Sequence, residues 1–216
     1  MKPSEFYVGV VDVFSIFVPG IIFTVLVIGY WQPPSHSGLF HFIGSNEVAR
    51  WGVVLVASYF FGHLIYGIGG WLDSPMYNLY RLKRWGKDGE HSAYVRVTRL
   101  RQLMLGGAED LPVNNFKWAK SILLAKAPAG LAEVNRIEAD SKFFRSLVVL
   151  CTLIGCMLLF AEGPIAGLAI ERPGWVATAA LLLAILSFNR YASLRYKSTQ
   201  VAYSHVIIHL KLAAGK

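Results

Sequence analysis

The sequence predicts an all-α polytopic membrane protein with four transmembrane helices and a mainly helical cytoplasmic insert, on three observations. First, the chain of 216 residues is 55% hydrophobic and 16% charged, and its apolar residues gather into four long runs. Second, the run Trp51–Leu72 holds twenty-two residues without a single Lys, Arg, Asp or Glu. At the helical rise it is about 33 Å long, enough to cross a hydrocarbon core of roughly 30 Å. Third, charge is confined. Thirteen Lys/Arg stand against eight Asp/Glu between Asp73 and Arg145, and Asn189–Lys216 carries five Lys/Arg and no acid. Gln32–Arg50 and Glu162–Pro173 contain Arg50 and Arg172 alone among basic residues. Because positive residues stay on the cytoplasmic side, both termini and the insert are expected in the cytoplasm, with two short loops outside.

The expected division is a first transmembrane hairpin over 1–72, a basic insert over 73–142, a second hairpin over 143–191 and a C-terminal cytoplasmic helix over 192–216. The first span, 7–30, reads as a retained anchor helix, since its apolar run continues to Tyr30 without a small-residue cleavage site. Asp12 enters it about 9 Å beyond Phe6, and Pro19-Gly20 predicts a kink or a break near its middle. Pro, Ser and Gly mark a loop through Ser45, and Asn46 followed by Glu47 reads as a helix start for the second span, 51–72. Trp51 and Trp71 suit the headgroup boundary.

Beyond Asp73-Ser74-Pro75 the chain emerges as MYNLYRLKRWGK. Its Arg81, Lys83, Arg84 and Lys87 lie among Tyr77, Tyr80 and Trp85, a pattern that favours anionic lipid headgroups, or a protein partner, over RNA, DNA or a nucleotide signal. Glu90–Leu105 reads as a basic amphipathic helix, with an extended strand over Ala93–Val97 as the alternative, and Asn114 or Asn115 as the cap of another helix running through Lys126, stopped by Pro128-Ala129-Gly130. From Leu131 a helical pattern leads directly into the third span, 143–161, where Arg145 can snorkel to the boundary. Glu162-Gly163-Pro164 turns the chain, and the fourth span, 175–191, is expected to continue as a cytoplasmic helix. Cys151 and Cys156 are five residues apart, off a common helix face, and read as small apolar fillers.

Polar residues within the spans are the candidates for function. Asp12 and His63 fall at similar depths on adjacent helices, so a contact between them would relieve both; it reads as structural glue before it reads as a proton-sensitive element. Tyr59, His63, Tyr66, Gly70 and Asp73 recur at helical spacing, which predicts a polar face of the second span turned toward protein or water. Ser58-xxx-Gly62, Gly163-xxx-Gly167 and Ala180-xxx-Ala184 permit close helix approach or oligomerisation. His205 and His209 share a helix face, but a solvated face accounts for them better than a metal. The sequence carries no P-loop, Gly-x-Ser-x-Gly, His-Glu-x-x-His or Rossmann fingerprint, so no catalytic residue, metal or cofactor is assigned.

The first span reads D-x-F-x4-P-G over Asp12–Gly20, the second hairpin is entered through EADSKFFRSL, and it is left through FNRYASLRYK. In these and in its layout the chain resembles small multi-pass bacterial membrane proteins encoded beside antiphage defence systems. Lys142–Gln200 alone is similar to two-helix membrane effectors paired with nucleotide second-messenger synthases. The resemblance implies pore formation, depolarisation or infection sensing, and carries over no catalytic residue. The expectation is a homo-oligomeric, non-enzymatic membrane component of a defence or stress system, acting through its insert and open to a cytosolic partner from the same operon. A membrane anchor that recruits a cytosolic effector and a small membrane enzyme acting on lipid are the alternatives.

Overall fold

A computed structural model of the chain describes residues 3–31, 47–84, 90–105, 114–161 and 173–214. These form six α-helices: α1 (Pro3–Trp31), α2 (Glu47–Arg84), α3 (Glu90–Met104), α4 (Asn115–Lys126), α5 (Pro128–Leu159) and α6 (Pro173–Ala214). No strand occurs among the described residues. The protein is therefore all-helical, and α1, α2, α5 and α6 are long and apolar enough to cross a membrane. The expected helix start at Asn46, the turn at Glu162–Pro164 and the Gly163-xxx-Gly167 motif lie outside the described residues.

Three of the long helices exceed what a bilayer needs. With 38, 32 and 42 residues in α2, α5 and α6, they measure about 57, 48 and 63 Å, against a core of roughly 30 Å. The chain correspondingly packs as two compact units. One holds Gly9–Asp73 and Lys142–Tyr191; the other holds Met1–Val8, Ser74–Ser141 and Ala192–Lys216. Ser74, Ser141 and Ala192 stand close to the points in sequence where charge density changes.

Two local expectations are refined. Of the kink or break expected at Pro19-Gly20, the break is absent, and α1 is one continuous helix through Pro19. A proline inside a membrane helix is tolerated where its surroundings compensate, and here Pro19 is fully buried. Pro128-Ala129-Gly130 is not a stretch between helices. Ala127 leaves helical geometry at φ −147°, its N–H donating to the Leu123 carbonyl at 2.8 Å, and Pro128 then opens α5. Proline suits a first helical position because its missing N–H would have had no partner there. The cap at Asn114 is as expected, its side chain accepting from the Lys117 N–H at 2.9 Å. Helix α2 continues past Asp73-Ser74-Pro75 to Arg84, and α6 extends well beyond the expected fourth span.

In the unit built from Gly9–Asp73 and Lys142–Tyr191, α1 and α2 meet through small residues, while Ile65, Val149, Leu150 and Leu158 are buried as well. A Cβ at Gly20 would overlap the Ser58 carbonyl, and one at Gly62 would overlap the Ile16 carbonyl. Ile16–Gly20 on α1 and Ser58–Gly62 on α2 therefore cross with their backbones in contact, the arrangement that small-xxx-small spacing permits. Phe23 and Phe61 pack edge to face beside this crossing, with ring centroids 5.3 Å apart. On α6 the buried residues are Ala177, Ala180, Ala184, Ser187 and Tyr191, one helical stripe. Leu182, Leu183, Ile185 and Leu186 are exposed on the same helix.

The other unit has a single, larger apolar cluster. Val97 of α3, Trp118, Ala119 and Leu123 of α4, Val134 of α5 and Ala202, Tyr203 and Val206 of α6 form one buried cluster. Asn115 donates to Thr98 at 2.7 Å, joining α4 to α3. Glu138 of α5 meets Lys120 at 2.8 Å and Arg195 at 3.5 Å, and both cations lie over the Phe116 ring.

Candidate functional site

The polar residues of α2 end up on two sides of the helix. Its inward stripe is Ser58, Gly62, Ile65 and Gly69, all buried. The expected polar face, Tyr59–His63–Tyr66–Gly70–Asp73, is offset by one residue, about 100° around the helix. Its members consequently separate. Tyr59 is 59% exposed, and His63 and Gly70 are exposed as well, whereas Tyr66 and Asp73 lie at the edge of the buried stripe.

His63 packs edge to face on Tyr59, with ring centroids 4.5 Å apart. One turn and two turns further along, Gly67 and Gly70 have open space where a Cβ would project. In the single chain these residues form an outward strip of two hydrogen-bonding side chains followed by bare backbone. Asp12 lies in α1, but its side chain falls outside the described part of the structure, and so does the expected pair with His63. Arg81, Lys83 and Arg84 belong to the last turns of α2. Their side chains, and Lys87 altogether, are likewise outside the described part.

Tyr66 and Asp73 are drawn to a cation that the sequence placed elsewhere. Arg145, one turn into the apolar part of α5, was expected to extend to the membrane boundary. Its side chain is instead only 13% exposed: Nη1 approaches Asp73 Oδ2 at 3.8 Å and the guanidinium lies 4.9 Å from the Tyr66 ring centroid. Gly69 makes room for it, since a Cβ there would stand 3.2 Å from Arg145 Cγ. The second oxygen of Asp73 accepts from the buried Tyr191 hydroxyl of α6. Arg145 Nε is buried without a hydrogen-bond partner among the described residues. A signal for this cluster did exist. Asp73 closes the second apolar run and Arg145 opens the third, so a topology with both on one side of the bilayer puts opposite charges at one depth.

This arrangement holds three helices together by charge, hydrogen bond and cation–π contact. Nothing in it resembles a nucleophile with its base, because the acid is already engaged by a cation and a phenol. His205 meets Glu133 at 3.1 Å and packs over Gly130. Among the described residues no three His, Cys, Asp or Glu side chains gather as a metal site. Cys151 and Cys156 are both free thiols. Set against known protein families, curated proteins and solved structures, the chain matches none of them.

Proposed function

We propose that this chain is an oligomeric inner-membrane component of a bacterial antiphage defence or stress system, sensing a signal or perturbing the membrane through a cytoplasmic unit. The observation that carries the reading is His63. It sits within an apolar span, exposed on the surface of a single chain beside Tyr59. An ionisable side chain against lipid is costly, and such residues nearly always face protein or water. A second copy of the chain supplies that surrounding. Gly67 and Gly70, open on the same strip, allow another helix to come close.

The pattern of Lys and Arg supports cytoplasmic placement of both termini and of Ser74–Ser141. The defence setting is supported by the layout and the D-x-F-x4-P-G stretch of the first span. Anionic headgroups at Arg81, Lys83, Arg84 and Lys87 are the expected lipid contact. A second reading, an anchor that presents a folded unit to a cytosolic effector, is favoured by the separate core around Trp118 and Tyr203.

A voltage-sensitive dye in bacterial cells expressing the chain separates the two. Membrane perturbation predicts depolarisation once the chain is activated or overproduced, while an anchor leaves the potential intact. His63→Leu should reduce oligomer size on detergent-extracted protein, and with it depolarisation; Phe60→Leu, elsewhere on the same helix, should change neither. Equal behaviour of the two variants would rule out the outward strip as the assembly surface.

A further inference from the structure

We infer that Asp73, Arg145, Tyr191 and Tyr66 form a clasp that holds α2, α5 and α6 in a resting arrangement, and that activation works by releasing it. This inference concerns the regulation of the proposed membrane activity and rests on that reading.

Two observations point to it. The first is position in the chain. The membrane-type unit comprises Gly9–Asp73 and Lys142–Tyr191, so the chain enters or leaves it at four places. Asp73 is the last residue before one of them, Tyr191 the last before another, and Arg145 the fourth after a third. One cluster thus ties three of the four crossings to each other. Any pull or twist transmitted along the polypeptide from Ser74, Ser141 or Ala192 arrives at a clasp residue, or within one turn of one.

The second observation is the kind of interaction. Elsewhere in this unit α1 and α2 cross at Gly20 and Gly62, contacts that tolerate little sliding because the backbones already touch. At the clasp the contacts are a 3.8 Å ion pair, a hydroxyl hydrogen bond and a guanidinium over a ring. The ion pair is longer than a direct charged hydrogen bond, and Arg145 Nε is unsatisfied among the described residues. Such a junction has an alternative. A displaced Arg145 can extend to headgroups or water, and Asp73, whose side chain is 31% exposed, can be hydrated. Both states keep the charges satisfied, as a two-state element requires.

The test uses the full chain in liposomes, with Cys151 and Cys156 replaced by Ala and spin labels at Ile68→Cys and Leu186→Cys, both exposed positions on α2 and α6. Asp73→Asn and Arg145→Gln should each lengthen and broaden the distance between labels, and raise dye leakage about fivefold or more. The exchange Asp73→Arg with Arg145→Asp should restore most of the parent distance. Tyr191→Phe removes only the hydroxyl, and provides a milder variant with a smaller change should the charge variants fail to fold. An unchanged distance in all single variants overturns the clasp. So does an exchange that is no better than either single variant, because packing alone would then be at work. Helices that separate and are restored without any leakage uphold the clasp and overturn the membrane-perturbing function.

Discussion

The two units of this protein weight helix packing differently, though α2, α5 and α6 contribute to both. Where Val97, Trp118, Leu123, Val134 and Val206 meet, large apolar side chains are buried, and the described charged ones stay partly or fully exposed. In the other unit Gly20, Gly62, Ala177 and Ala184 are buried beside a few larger residues, Ile65, Leu150 and Leu158 among them, while Leu186 is 64% exposed and Trp175 73%. Burial out of water suits the first pattern, being favourable by about 25 cal/mol per Å² of apolar area. Acyl chains are as apolar as leucine, so a leucine gains nothing of that kind by turning inward. What remains is close backbone approach and polar contacts between helices. One polypeptide can therefore carry two packing rules, and each should fail under a different substitution.

The largest effect is expected from enlarging a small residue in the membrane-type unit. Gly62→Leu places a side chain against the Ile16 backbone, which has no rotamer with which to yield. Overpacking of side chains costs about 1–3 kcal/mol, and a backbone obstacle more. Loss of the monodisperse peak in detergent chromatography is the expected result; Gly52→Leu, with open space around it, should elute normally. Equal elution of both would show that α1 and α2 do not cross at Gly62.

Next comes the reverse change in the other unit. Trp118→Ala removes the largest side chain of the buried cluster, at a cost of about 3–5 kcal/mol. Hydrogen exchange should accelerate in α4 and in the α6 segment around Tyr203. Exchange around Gly62 should remain slow if each core is stabilised by its own contacts. Glu138→Gln should have a smaller effect. It removes the charge facing Lys120 and Arg195, but all three side chains retain 21–30% exposure, so water shares the work and the cost is about 1 kcal/mol. A modest rise in α4 exchange would register it, and a loss as large as that of Trp118→Ala would mean the ion cluster dominates this unit.

Much of the fold was legible from residue patterns, and the departures have identifiable causes. Long runs free of charge marked the helices able to span, and the Asn114 cap was readable because its chemistry is local. Pro19 does not break α1, and the burial that surrounds it is invisible to its local sequence. The polar face of α2 is the more instructive case. Tyr59, His63, Tyr66, Gly70 and Asp73 share helical spacing, yet so do Ser58, Gly62, Ile65 and Gly69. Which stripe turns inward depends on what α1 and α5 offer, and the Ile16–Gly20 backbone selects the small one. Arg145 was read from its own position as a snorkelling residue. Its pairing with Asp73 is a relation between two helices seventy-two positions apart in sequence, to which periodicity along one helix is blind.

The smallest effect expected is also the sharpest probe of the comparison. Leu186→Ala deletes a side chain that is 64% exposed in the single chain. Were this helix packed by the rule that governs Leu123, the change would cost about 2–5 kcal/mol through lost burial and a cavity. Against acyl chains no cavity forms, because lipid follows the new contour, and alanine keeps the helix propensity high. Thermal stability in bilayer nanodiscs should therefore shift by no more than about 0.5 kcal/mol. Leu123→Ala, measured alongside, supplies the contrast. A cost at Leu186 comparable to that at Leu123 would mean that another protein surface covers this side of α6. The assembly contact would then involve α6 as well as the His63 strip of α2.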